Sequence, residues 1–168
     1  SCHTKTHLMF SLSKGKTLDE FLYDMTNVSI AATYSAPTAG ISSNKSSSYE
    51  IGTDMTTLGP VSLSYSYTQN DGGTMVASSQ VFYKNGTTLG TGVSSDATAG
   101  TLSGTSRYLT ASISYSVNVS YNAGPVKNDN LGVPSPAGQI GASNVTSGSI
   151  TISPFQYIYW GGTTDPLV

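Results

Sequence analysis

The residues most capable of chemistry lie at the start of the chain, where Cys2, His3 and His7 occur close together. The two histidines would share one face only in a helix, and the intervening Thr-Lys-Thr disfavours a helix there. A structural zinc site needs about four ligands at fixed spacing. We therefore predict no metal site and no cofactor, and we interpret this segment as a solvated or partner-bound arm.

The acidic residues could act as catalytic carboxylates, but they are scattered along the chain. Glycoside hydrolysis needs two carboxylates about 5 to 10 Å apart, and no spacing here singles out such a pair. Asn128-Asp129-Asn130 and Asn70-Asp71 could offer oxygen ligands to calcium. Turn formation explains both segments more simply, because Asn and Asp hydrogen-bond their own backbone. A glycan-cleaving or calcium-dependent enzyme is a remote third hypothesis.

The sequence also lacks the motifs of nucleophilic catalysis. No Gly-x-Ser-x-Gly elbow is present, and both histidines lie outside the predicted fold, so no Ser-His-Asp triad can be assembled. The glycine-rich segment from Gly86 to Gly92 lacks the lysine of a phosphate-binding loop. We expect a protein that is not an enzyme.

The composition is typical of a β-rich surface protein. Charged residues make up 10% of the 168 residues, against about 25% in an average domain, while 37% are hydrophobic and eleven are tyrosine. A net charge of −2 gives no attraction to nucleic acid or an anionic membrane, and no apolar run is long enough to span a bilayer. Inward tyrosines are expected to form core; outward ones could stack on sugar rings.

Strict alternation of apolar and hydroxyl residues predicts strands. Val61 to Tyr67 shows this pattern, and Gln69 to Gly73 supplies a turn, so a hairpin returning through Met75 to Tyr83 is expected. Tyr108 to Tyr121 is the longest alternating run. Further strands are expected at 28–34, 49–53, 88–93 and 143–154, with an Asn85-Gly86 hairpin turn. Loops are expected at 37–48, at 94–106 with a short strand inside it, and at 122–139.

One helix is predicted near the N-terminus. Thr17 and Glu20 match a capping box, and an apolar stripe follows at helical spacing. The stripe consists of Leu18, Phe21, Leu22 and Met25. Such a stripe either covers the open end of the β-domain, which we favour on general grounds, or docks onto a partner.

The order of these segments resembles one family. The segments are GKTLDEFLYDMT, ATYSAPTAGISS, YEIGT, VSLSYSY, VFYKNGTTLG, YLTASISYSVNVSY and SITISPFQYIYWGG. Together they resemble the Ig-like modules in virion proteins of tailed bacteriophages that infect Bacteroidetes-type gut bacteria. The resemblance covers nearly all of Lys14 to Gly162. It implies a tail, baseplate or head-fibre protein with a structural and attachment role, and no catalytic residues.

The predicted fold class is all-β, an Ig-like β-sandwich with a short N-terminal helix and extended arm; a barrel or jelly roll is the alternative. Residues 1–27 are expected to form the arm and docking helix, 28–155 the sandwich, and 156–168 an aromatic segment leading to a further module. Both ends suggest part of a longer polypeptide.

The predicted function is a non-enzymatic virion structural protein on the particle surface, or otherwise extracellular. Its partners would be other virion proteins and copies of itself, a trimer if it forms a fibre, with a host-surface glycan as a further candidate. A bacterial adhesin or carbohydrate-binding module is the alternative. The predicted docking residues are Leu18, Phe21, Leu22, Met25, Phe155, Tyr157, Tyr159 and Trp160.

Overall fold

The computed structural model describes residues 15, 17–91, 95–96 and 107–157. This part of the chain is mostly β-strand with one short helix, so the all-β prediction is confirmed. The elements are α1 Leu18–Thr26, β1 Thr38–Ser43, β2 Ser48–Glu50, β3 Val61–Thr68, β4 Val81–Lys84, β5 Thr87–Thr91, β6 Ser95–Asp96, β7 Ile113–Tyr121, β8 Ser143–Thr146 and β9 Ile150–Phe155. Within the described ranges, no helix is long and apolar enough to cross a membrane.

The strands form two sheets. One has the order β1-β3-β6, and the other has the order β2-β9-β7-β4-β5, with β8 also paired to β7. All pairs are antiparallel except β2 with β9. Strand β1 contacts β7, β8 and β9 across the core. The core consists of Met55, Val61, Leu63, Phe82, Leu109, Tyr115, Val117, Val119 and Ile152.

The chain divides into two compact units. The first contains residues 1–33 and 126–138, and the second contains residues 34–125 and 139–168. All the strands belong to the second unit, whereas α1 belongs to the first.

The alternating run at Val61 is the strand that it predicts, but its expected hairpin is wrong. Strand β3 pairs with β1 and β6, and the chain then crosses to β4 in the other sheet. The turn itself forms, with Asn70 at φ 47° and Gly72 N donating to Gln69 O at 2.9 Å. Gly73 N then donates to Asn122 O at 2.9 Å, so this backbone bonds to the end of β7 instead of returning along β3.

The Asn-Gly hairpin prediction is confirmed. Lys84 of β4 faces Thr87 of β5, and the two residues between them have φ angles of 49° at Asn85 and 79° at Gly86. Two successive positive φ angles define a type I′ turn, whose twist matches that of the flanking strands.

Strand β7 is shorter than its alternating run, which begins at Tyr108. The apolar face is formed as predicted, since Tyr115, Val117 and Val119 are fully enclosed. Tyr108 instead makes an isolated bridge to Asp54.

The expected last strand at 143–154 is two strands, β8 and β9, that both pair with β7. Ser147 lies at the break. Its amide donates to Val117 O at 2.8 Å, and its hydroxyl accepts from Val117 N at 3.0 Å. The side chain thereby replaces a backbone carbonyl in the ladder, which satisfies β7 where the neighbouring strand is interrupted.

Two expectations near the N-terminus are wrong. Residues 38–43, expected in a loop, form β1, which pairs with residues 63–68 of β3. Residues 28–34, expected as a strand, join neither sheet. The loop around β6 is described only at Ser95–Asp96.

Candidate functional site

The predicted docking helix forms, and its apolar stripe faces outward. Thr17 Oγ1 accepts from Glu20 N at 3.3 Å, and the Glu20 carboxylate accepts from Thr17 N at 2.8 Å, which completes the capping box. None of the helical residues is buried: Leu18 is 61% exposed, Leu22 50% and Met25 51%, while Phe21 is half-buried. Leu18, Leu22 and Met25 are thus available to a partner.

The segment after the helix, residues 28–33, is held by side chains of the loop 126–138, an arrangement we call the clasp. Asn130 bonds two backbone groups: its Nδ2 donates to Val28 O at 3.0 Å, and its Oδ1 accepts from Ile30 N at 2.5 Å. Ala32 N donates to Ser135 Oγ at 2.8 Å. Lys127 Nζ donates to the carbonyl of Thr33 at 3.1 Å. The backbone of this segment is therefore hydrogen-bonded to side chains, whereas a strand in a sheet would be bonded to the backbone of another strand.

Asp129 organises the loop of the clasp. Its Oδ1 accepts from Leu131 N at 2.9 Å and Val133 N at 3.2 Å, and its Oδ2 accepts from Ser29 Oγ at 2.5 Å. The Ser29 hydrogen bond, followed by the backbone amides, lowers the pKa of Asp129, although partial burial opposes the shift. The carboxylate thus forms the turn and binds the segment after the helix.

These contacts bear on the calcium alternative. Both oxygens of Asp129 accept protein hydrogen bonds, and Asp71 Oδ2 accepts from Ser35 N at 2.7 Å. Asp129 thus forms a local turn, whereas Asp71 bonds the backbone of a distant segment. Across the described ranges, no group of three or more His, Cys, Asp or Glu residues is arranged to hold a metal ion. Cys2, His3 and His7 lie outside those ranges.

The described residues of the first unit, 15, 17–33 and 126–138, reverse the usual distribution of polarity. Its buried side chains include Asp129 and Ser135, both polar, while every buried apolar side chain of the core lies in the second unit. Among the described residues, more than half of the exposed large apolar side chains belong to the first unit. They are Leu18, Leu22, Tyr23, Met25, Val28, Ile30, Val126, Leu131 and Val133. Tyr23 lies on the other side of the helix from the apolar stripe. We call the remaining residues and the half-buried Phe21 the arm surface.

The predicted aromatic contact is described only in part. Phe155 ends β9 opposite Glu50, and its ring meets that of Tyr157 edge to face at 5.0 Å between centroids. Phe155 is 38% exposed and Tyr157 57%. Tyr159 and Trp160 lie outside the described residues.

Exposed tyrosines bear on glycan binding. Tyr108 borders a depression of about 250 Å³ that is also lined by Lys84 and Asn85. The Arg107 guanidinium lies 4.8 Å from the centre of the Tyr108 ring. One face of that ring is therefore occupied, and stacking on a sugar could use only the other. Tyr65 packs edge to face on Phe82.

A buried polar cluster that no sequence pattern indicates lies between the sheets. Asp96 is enclosed, and its Oδ2 accepts from Lys84 Nζ at 2.6 Å and from Tyr115 Oη at 2.9 Å. Burial first, and then the charge of Asp96, raise the pKa of Tyr115. Each group satisfies another, so the cluster holds the sheets together and offers no free nucleophile or base.

No protein family, curated protein or solved structure matches this chain.

Proposed function

We propose that this chain is a non-enzymatic structural protein of a virion appendage, in which the arm surface docks onto a larger assembly. The observation that carries the proposal is the reversed polarity of the described part of the first unit, where nine large apolar side chains are exposed while Asp129 and Ser135 are buried.

The hydrophobic effect favours the burial of this surface by a partner. Covering apolar area is favourable by about 25 cal/mol per Å². The clasp holds the segment after the helix by hydrogen bonds, so its order does not require its apolar side chains to be buried. A partner that covers the arm surface gains that apolar area.

The second unit would act as the spacer of the appendage. Its two facing sheets and single core agree with an Ig-like β-sandwich, which we propose as its fold. Hydroxyl-lined strands such as β3, with Ser62, Ser64 and Ser66 exposed, suit a crowded particle surface with little charge. We propose the virion as the location because the order of the sequence segments resembles that of Ig-like modules in phage virion proteins. Phe155 and Tyr157 would contact the next module.

Two experiments test this function. Mass spectrometry of virus particles purified from the source material should detect the chain, and its absence from such particles would refute the virion location.

The double substitution Phe21→Ser/Leu22→Ser tests docking through the helix. When this variant is supplied during infection, it should no longer be incorporated into particles, while the unfolding midpoint of the second unit is unchanged. Tyr23→Ser/Asp24→Ser alters the other side of the helix and should leave incorporation intact. Normal incorporation of the first variant would rule out docking through the helix.

A further inference from the structure

The segment held by the clasp has a second, open edge. The carbonyl of Val28 and the amides of Ile30 and Ala32, spaced two residues apart, all bond to side chains of the loop 126–138, which is the alternation of an extended chain. Ser29 and Ala31 therefore point their backbone groups the opposite way. Within the described residues, the N–H and C=O groups of Ser29 and Ala31 have no hydrogen-bond partner.

This edge is also accessible and uncharged. Val28 is 59% exposed and Ile30 66%, and Ser29 and Ala31 are exposed as well. An open strand edge next to exposed apolar side chains is a template for strand addition by another chain. No charged residue occurs between Asp24 and Lys45, so the segment can meet an identical segment without like-charge repulsion.

We infer that the open edge pairs with the same edge of a second copy of this chain, as an antiparallel two-stranded ladder about a two-fold axis at Ile30. This inference rests on the proposed role of the arm surface in assembly, and it names the first partner of that surface.

The free backbone groups select this register. With Ile30 opposite Ile30, Ser29 of each copy faces Ala31 of the other, and all four free groups of each segment find partners. A shift of the two-fold axis to Ser29 would place Ala31 opposite Asn27, whose amide already donates to Tyr23 O. A shift to Ala31 would bring in Thr33, whose carbonyl already accepts from Lys127. The register at Ile30 displaces neither bond.

The pairing also covers apolar area. Ile30 meets Ile30 at a non-hydrogen-bonded position, where opposed Cα atoms are about 4.5 Å apart and side chains are closest. Val28 lies opposite Ala32 on the same face. Isologous contacts of this kind close at two copies.

The register is tested by disulfide trapping in the full chain with Cys2→Ser as background. Ile30→Cys should form a covalent dimer under mild oxidation, since opposed non-hydrogen-bonded positions lie within disulfide reach. Val28→Cys is the matched control, because the two-fold axis separates its two copies by four residues of strand, and it should stay monomeric on a denaturing gel. Equal trapping of both variants, or no trapping at Ile30→Cys, would overturn the inference.

Light scattering on a size-exclusion column provides the second test. The wild-type chain should dissociate from dimer to monomer on dilution. Ala31→Pro removes an amide that makes no bond within the described chain, so it should leave each copy folded and abolish the dimer. Ala31→Ser keeps that amide and should keep the dimer. A wild-type monomer at every concentration, or a dimer that survives Ala31→Pro, would refute the pairing. The incorporation test with Phe21→Ser/Leu22→Ser is independent of either result.

Discussion

Lys84 and Asp96 form an ion pair that joins the two sheets, with 2.6 Å between Lys84 Nζ and Asp96 Oδ2. Lys84 lies in β4 of the larger sheet, whereas Asp96 lies in β6, beside β3 in the smaller one. The Asp96 side chain is completely enclosed, while that of Lys84 is 23% exposed. Tyr115 of β7 donates to the same carboxylate oxygen. A buried carboxylate between the sheets is therefore tolerated because two groups of one sheet satisfy it.

Removing the lysine should reveal this dependence. Lys84→Met leaves the Asp96 charge enclosed without its cation, and we expect the free energy of unfolding to fall by about 3 kcal/mol. The double variant Lys84→Met/Asp96→Leu removes both charges and should recover much of that loss. Urea denaturation followed by tyrosine and tryptophan fluorescence measures both. Lys45→Met, which removes a bond to the neutral carbonyl of Leu58, serves as the control and should cost about 1 kcal/mol. Equal stability of Lys84→Met and wild type would contradict the role of the pair.

The raised pKa of Tyr115 predicts a loss of stability in alkali. In the unfolded chain the phenol loses its proton near its ordinary pKa of about 10, whereas in the folded protein it keeps the proton to higher pH. The contribution of Tyr115 is thus fully present below about pH 10 and declines as the pH rises toward the raised value. Denaturant unfolding at a series of pH values should show this decline in wild type, and Tyr115→Phe should reduce its slope. The exposed Tyr23→Phe should not; an identical slope in wild type and Tyr115→Phe would reject the assignment.

Gly73 should be intolerant of any side chain. A Cβ atom there would lie 2.1 Å from Asn122 O and 2.4 Å from Ala123 O, both on the backbone that fixes the crossing from β3 to β4. Gly73→Ala should lower the free energy of unfolding by about 2 to 4 kcal/mol, because the backbone must shift to relieve the overlap. Gly141→Ala meets nothing within 4 Å and is the matched control. Chemical denaturation compares the two, and similar midpoints would show that the crossing can relax.

The crossing at Gly73 also shows where sequence reasoning ends. The alternation from Val61 to Tyr67 and the Asn85-Gly86 turn are local signals, and the structure confirms both. The destination of the chain after Gly73 depends on Asn122, far along the sequence, and no local pattern encodes it. Strand β1 was hidden for a related reason: its Ser, Thr and Gly residues are typical of a loop, and they become a strand by pairing with β3.

The clasp and the buried cluster were missed because they depend on long-range contacts of ordinary residues. Residues 28–34 have the apolar alternation of a strand, and residues 28–33 bond to side chains about a hundred positions away. Asp96 lies in a segment rich in Gly, Ser and Thr, where nothing distinguishes it from a solvated acid until Lys84 and Tyr115 surround it. The capping box, by contrast, depends only on Thr17 and Glu20, three positions apart, and the sequence predicts it correctly.

Asp129→Ala should loosen the clasp without unfolding the second unit. The substitution removes the acceptor of Ser29 Oγ and of two loop amides, so the loop no longer presents Asn130 to the backbone of Ile30. We expect the amides of Ile30 and Ala32 to exchange with deuterium severalfold faster at neutral pH, while core amides in β7 keep their protection; exchange resolved by NMR measures both. Asp54→Ala, in the second unit, is the control.

Acid should loosen the clasp as well, because the pKa of Asp129 is lowered in the folded protein. The stabilisation that the Asp129 carboxylate gives is complete above about pH 4, the ordinary range for Asp, and is lost as the pH falls through the lowered value. Unchanged exchange at Ile30 in Asp129→Ala would show that the segment after the helix is held by something other than the clasp.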